Sequence, residues 1–203
     1  TLFRSKNGVV MALGGYEGNL QMLQDYCHLR YAYPKGSTYN TGDGVVMAMK
    51  AGADLWHMSN PSGPDLNFYD PESKAYFGYT LASSLGNRTA IYVGPDGTRF
   101  IDEATMTKHG KMHTHGTYQT AVSALPAYAV FDEAALSAGP ICSTFWSKDN
   151  SEEVEKGWIK RADTLQELAK MIGVPEDGLV KTVQRFAFYC EQGEDFEFGR
   201  PAE

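Results

Sequence analysis

Apolar positions along this chain come in short runs broken by glycine and proline. Gly8-Val-Val-Met-Ala-Leu13 is continuous and stops at Gly14-Gly15, a pattern that predicts a buried strand followed by a tight turn. From Asn19 the spacing changes. Leu20, Leu23, Tyr26 and Cys27 recur at helical intervals, and Asn19 is placed to cap the helix they predict. Gly36 to Gly44 is a loop rich in turn formers that runs into Val45-Val-Met-Ala-Met-Lys-Ala51, a compact helix with Asp43 as its expected cap and Gly52 as its end. Trp56 to Tyr79 is aromatic but interrupted by Pro61, Gly63, Pro64 and Pro71, and reads as a long irregular loop.

The second half is denser. Ala90-Ile-Tyr-Val93 and Thr98-Arg-Phe-Ile101 flank a Gly94-Pro-Asp-Gly97 turn and predict a β-hairpin. Tyr118 to Ala124 fits no single element. Ala127 to Phe131 predicts a strand, and Asp132 a cap for a short helix over 133–136. Asp149 to Lys156 is charged and reads as solvated. Thr164-Leu-Gln-Glu167 is a capping box, which opens a helix through Met171. Pro175 opens a last helix whose apolar stripe is Leu179, Val180, Val183, Phe186, Ala187 and Cys190, with Gly193 at its end. Residues 194–203 read as a polar linker. Mixed helices and strands predict α+β or α/β layers.

Composition narrows the function classes. The 203 residues carry a formal net charge of −7 and no block of Lys or Arg, so neither nucleic acid nor an anionic membrane surface finds its footprint here. No apolar run reaches the length of a membrane span. Cys27, Cys142 and Cys190 are three widely spaced cysteines, which suits buried or half-buried thiols rather than a disulfide framework.

Four places carry chemistry. The Gly14-Gly15 turn lets a backbone approach a ligand closely, or is simply a turn. Thr41-Gly-Asp-Gly44 at a helix start offers exposed amides, although Asp43 suits a hydroxyl or ring N–H better than a phosphate. Arg99 and Glu103 form either a surface ion pair or a positioned polar pair beside a cleft. His109, His113 and His115, beside Lys108 and Lys111, lack a carboxylate or thiolate partner; no metal is expected, and a polar loop or a substrate-facing histidine fits better. His57, between Trp56 and Met58, reads as a partly buried histidine or as one facing substrate.

Gly8 to Asn19 resembles the "VVLATGGF..N" stretch of the flavoprotein subunit family of fumarate reductase and succinate dehydrogenase. Asn40 to Ala53 is similar to its "TGDG...A..AGA" segment, and Gly97-Thr-Arg-Phe-Ile-Asp-Glu103 to its "GKRFVNE" hairpin. Order and spacing match, and Ala127 to Asp132, residues 176–192 and Asp195 to Pro201 continue the similarity. The nearest branch resembles the bacterial flavocytochrome c and urocanate reductases, with ketosteroid dehydrogenases as the competitor.

The resemblance implies an α+β chain in which residues 1–55 are part of an FAD-binding domain and residues 56–203 a capping, substrate-closing domain. It implies a fragment, with the N-terminal dinucleotide fingerprint and the C-terminal Gly-rich flavin segment outside it, inactive alone. Leu13, Gly14, Gly15, Thr41, Gly42 and Asp43 match FAD-contacting positions. Arg99, Glu103, Lys108 and His109 become the catalytic candidates and His57 the substrate-binding one. The partners implied are a small carboxylated substrate and an electron donor such as a cytochrome or quinol-linked protein. Two departures stand out. Leu13 replaces a frequent Thr. Thr107, followed by Lys108, stands where fumarate reductases carry a proton-donating Arg, which favours a substrate other than fumarate. A non-catalytic binding module sharing the cap fold is the alternative class.

Overall fold

The computed structural model describes residues 3–30, 34, 37–59, 67–70, 72, 75–80, 89–104, 111–114, 117–120, 125–142 and 146–201. The chain divides into two compact units, Thr1–Pro61 and Ser62–Glu203. Among the described residues no helix is long and apolar enough to cross a membrane.

The first unit holds two helices, α1 (Leu20–Cys27) and α2 (Asp43–Lys50). Asn19 caps α1: its side chain accepts from the Met22 amide, and Leu23 and Cys27 turn inward. Helix α2 begins differently from expectation. Its cap is Gly42, in the left-handed region at φ 84°, and no side chain caps it; Asp43 is already the first helical residue. Residues 8–13 are also not a buried strand. They form no regular element and are exposed, with Val9 80% and Val10 94% accessible. An apolar run becomes a strand only when a ladder accepts its backbone, and the described residues provide none.

In the second unit β3 (Ala90–Val93) is the centre. β1 is Asn67–Asp70 and β2 is Ala75–Thr80. These two pair antiparallel where an irregular loop was expected. β4 (Lys111–Thr114) and β5 (Thr117–Thr120) form a second antiparallel pair. β3 pairs antiparallel with β6 (Tyr128–Phe131), from Ala90 opposite Phe131 to Val93 opposite Tyr128. The expected hairpin partner, residues 98–101, contributes one bridge, Val93 to Arg99, and one turn bond, from the Gly94 amide to the Thr98 carbonyl.

All four β3 residues are buried. Alternation sends Ala90 and Tyr92 to one face, against Ile101, Ile141 and Ile159, and Ile91 and Val93 to the other, against Ala169, Val174 and Leu179. Each buried Ile, Val and Leu among them contributes about 1.5–3 kcal/mol by leaving water. A strand buried on both faces reads as an unbroken apolar run, and Ala-Ile-Tyr-Val is one.

The helices supply the flanking layers. They are α3 (Glu133–Ser137), α4 (Ser151–Glu155), α5 (Leu165–Ile172) and α6 (Glu176–Gln192). Asp132 caps α3 through the Ala135 amide, and Thr164 caps α5 through the Glu167 amide. Helix α4 was expected to be solvated, yet Glu153 is buried, accepting from the Ser147 amide and hydroxyl. Asn150, fully buried at φ 60°, accepts from the Ile141 amide and donates to the Leu136 and Gly139 carbonyls. The apolar stripe of α6 is buried only at Leu179; Ala187 and Cys190 are exposed, so Cys190 is not the half-buried thiol expected.

Candidate functional site

The two glycine turns of the first unit lie against each other. The Gly42 amide donates to the Gly15 carbonyl at 3.1 Å, and the Gly18 amide donates to the Asn40 carbonyl at 2.8 Å. Asn19 Nδ2 donates to the Thr41 carbonyl at 2.9 Å. Asn40 Nδ2 donates to Glu17, which lays the Asn40 side chain over the first turn. A Cβ on Gly14, itself at φ 74°, would fall 2.4 Å from Asn40 Oδ1, and one on Gly42 would fall 2.4 Å from the Met22 sulfur. Larger residues at these two places would push the turns apart.

Leu13, Gly14, Thr41 and Asp43 remain exposed at this junction, Gly15 is half-buried, and Gly42 is buried. The α2 start adds main-chain amides with no side-chain cap. The arrangement offers main-chain amides at the α2 start and an accessible apolar side chain, Leu13, at one place. That fits a flat, polar-edged cofactor such as a flavin nucleotide.

His57 is exposed at φ 54°, with its ring 4.6 Å from that of Trp56. The carbonyl of the next residue, Met58, is anchored by Tyr16 Oη at 2.9 Å and Cys27 Sγ at 3.3 Å. Burial, then the Cys27 hydrogen bond, raises the Tyr16 hydroxyl above its usual range, so it stays a donor.

In the second unit Arg99 and Glu103 are buried, not on the surface. Arg99 Nε and Nη2 donate to the two Glu103 oxygens at 2.9 and 2.7 Å, and Nη1 and Nη2 donate to Asp195 at 3.2 and 2.9 Å. The guanidinium lies 4.6 Å from the centre of the Phe186 ring and 5.1 Å from that of Phe198. Burial alone would lower the Arg99 pKa; its bonds to Glu103 and then Asp195 outweigh that and raise it. Burial likewise works to raise Asp195, but the Arg99 bond and the amides of Glu197 and Arg200 hold its carboxyl below the usual range.

The cluster also closes the sheet. Glu103 accepts from the Tyr92 amide at 3.1 Å, and Arg200 donates to the Ala90 carbonyl at 2.6 Å. Side chains thus take backbone groups on β3 that a hairpin strand was expected to pair. Residues 194–203, read as a linker, therefore include Asp195 and Arg200 as packed members of this cluster.

Lys108, His109 and His115 lie outside the described residues, as does Thr107; His113 falls in β4. Among the described residues no three His, Cys, Asp or Glu groups gather as a metal site would require. The sequence reading missed Asn40, Asp195 and Arg200. Asn40 was visible as the residue preceding Thr41-Gly42, but nothing in its spacing points to Gly14. Asp195 lies 96 residues from its partner, beyond any local pattern.

The FAD binding domain family profile matches residues 1–203. A 3-oxosteroid 1-dehydrogenase of Mycobacterium tuberculosis is 32% identical over 98% of this chain and 36% of its own length. A probable fumarate reductase of Shewanella frigidimarina is 29% identical over 95% of this chain and 30% of its own. The crystal structure of a 3-ketosteroid Δ1-dehydrogenase from Sterolibacterium denitrificans, in complex with 1,4-androstadiene-3,17-dione, superposes with a TM-score of 0.62 at 29% identity, covering 92% of this chain and 34% of that one. The chain spans about a third of the length of these relatives.

Proposed function

Because this chain belongs to the FAD binding domain family, within the FAD-dependent fumarate reductase and succinate dehydrogenase type, we propose that it is part of an oxidoreductase acting on the CH–CH or C=C bond of a small substrate. The observation that carries this reading is the joined pair of turns, Gly15 to Gly42, with Leu13, Gly14, Thr41 and Asp43 accessible around it. FAD, when bound, supplies the hydride chemistry. The chain's own share is to hold the cofactor edge with Leu13, Gly14, Gly15, Thr41, Gly42 and Asp43, and to orient substrate with residues of 56–203.

In this proposal residues 56–203 serve as the capping domain. Lys108 and His109 are the groups that hold or deliver a proton at the substrate carbon, and His57 binds substrate. Arg99 and Glu103 contribute by fixing the segment that leads into 104–110, since every guanidinium nitrogen of Arg99 is engaged by carboxylate. Electrons are exchanged with a donor such as a cytochrome or quinol-linked protein.

The test is the visible spectrum and turnover of the full-length protein. Flavin bands, with oxidation of reduced viologen by fumarate, acrylate or a related unsaturated acid, support the reading. A colourless, correctly folded full-length protein overturns it. A second reading, a 3-ketosteroid dehydrogenase, is favoured by the 32% identity to the mycobacterial enzyme and by Thr107 in place of the proton-donating Arg. Reduction of an artificial acceptor by a 3-ketosteroid, without turnover of the unsaturated acids, would select it.

A further inference from the structure

Thr41 C=O and Gly42 N–H belong to one peptide plane, and that plane is held at both ends. The amide end donates to the Gly15 carbonyl at 3.1 Å. The carbonyl end accepts from Asn19 Nδ2 at 2.9 Å. The same Asn19 amide uses its Oδ1 to accept from the Met22 amide at 3.1 Å, capping α1. One side chain thus ties the start of one helix to the residue before the cap of another. The orientation of this peptide sets the left-handed φ of Gly42, 84°, and with it the direction of the amides at the α2 start.

We propose that Asn19 is a positioning residue for the cofactor edge: its carboxamide locks the Thr41–Gly42 peptide so that the α2 amides and the Thr41 backbone face the flavin. The inference rests on the flavin reading given above. Without the tether the plane keeps only the Gly15 bond and rotates about its flanking single bonds. A peptide turned over gives up that bond as well and sets the Thr41 carbonyl against the Gly15 carbonyl, so the α2 amides lose their direction and binding is lost although α1 and the fold survive.

The two roles of Asn19 separate by substitution. Asn19→Asp keeps an acceptor for the Met22 amide, as a good cap does, but its carboxylate has no donor for Thr41. Asn19→Ser also keeps the cap, but its hydroxyl is one bond shorter than the carboxamide and is a single group in place of the two that Asn19 uses. Asn19→Ala loses both. In the full-length protein, Asn19→Ser and Asn19→Asp should weaken flavin binding about tenfold, the equivalent of one hydrogen bond. They should also move the visible band of bound flavin and speed amide exchange at Gly42, with a smaller loss of apo-protein Tm than Asn19→Ala. Flavin affinity in both variants within about twofold of wild type overturns the inference, as does an equal Tm loss in Asn19→Asp and Asn19→Ala. Amide exchange needs no flavin. A wild-type protein that binds none overturns the function reading, and unchanged exchange at Gly42 in the apo variants separately overturns the tether.

Discussion

Arg99 and Asp195 stand 96 residues apart in the chain and 2.9 Å apart in the fold, with both side chains shielded from water. The charge of Arg99 is balanced there by Asp195 and Glu103, and Asp195 is held in turn by Arg99 and by the amides of Glu197 and Arg200. Removing the cation takes from both buried carboxylates their shared guanidinium, leaving Asp195 on backbone amides and Glu103 on the Tyr92 amide and the longer contact to Arg200. Arg99→Met should therefore cost about 3–5 kcal/mol, the range for breaking a buried pair from one side. Arg99→Lys should fall between Met and wild type, since an ammonium cannot fork to both carboxylates. Urea unfolding of the purified chain measures both. A loss under about 1 kcal/mol for Arg99→Met would mean the cluster is as inert as a surface pair.

The same cluster sets an acid limit. The Asp195 carboxyl titrates below its ordinary value in the folded chain. A group with a depressed folded pKa contributes stability that is fully present above the unfolded value, about 3.9 for aspartate, and is lost as pH falls through the lower folded value. Stability should drop steeply below about pH 4. Asp195→Asn should be less stable near neutrality and should flatten that drop. Thermal unfolding between about pH 2 and 7 would read the difference.

Asn150 offers a test independent of charge. It satisfies one amide and two carbonyls while sitting fully buried at φ 60°. Asn150→Ala strands all three groups and adds backbone strain, so a loss of about 3 kcal/mol is expected by denaturant titration. Asn150→Gly accepts the backbone angle and should recover a small part of it.

Gly14→Ala probes the turn junction. Its Cβ would collide with the Asn40 side chain, which in turn is held by Glu17. The full-length protein should lose flavin affinity by about tenfold or more, the equivalent of one misplaced contact. Gly14→Ala combined with Asn40→Ala should recover part of that loss, because the clash is with a side chain and not with backbone. Flavin titration by fluorescence quenching decides it.

Much of this fold was legible in local pattern. Asn19, Asp132 and Thr164 cap helices where their side-chain chemistry places them, and the Ala90 to Val93 run is a strand buried on both faces. What local pattern could not supply is partnership. β3 forms its ladder with Tyr128–Phe131, and the adjacent 98–101 segment keeps only the Val93–Arg99 bridge and one turn bond, while Glu103 and Arg200 side chains take backbone groups further along that edge. Arg99 reads as a surface charge until Asp195 arrives from the far end of the chain. The aromatic stretch with its prolines concealed the β1–β2 pair, since proline interrupts a pattern without forbidding strands on either side of it. The two glycine turns were legible as turns. The resemblance placed both at one cofactor edge, and they do meet there; the single asparagine that spans them required the fold.

The carboxylate and guanidinium that occupy the Tyr92 amide and the Ala90 carbonyl have one more effect. A sheet edge with open backbone groups recruits strands from other molecules, and proteins commonly guard against this with charges or covering loops. Here two ionised side chains block the row from within. A variant lacking them would expose a short, apolar, β-prone edge, and its first symptom would be precipitation during refolding.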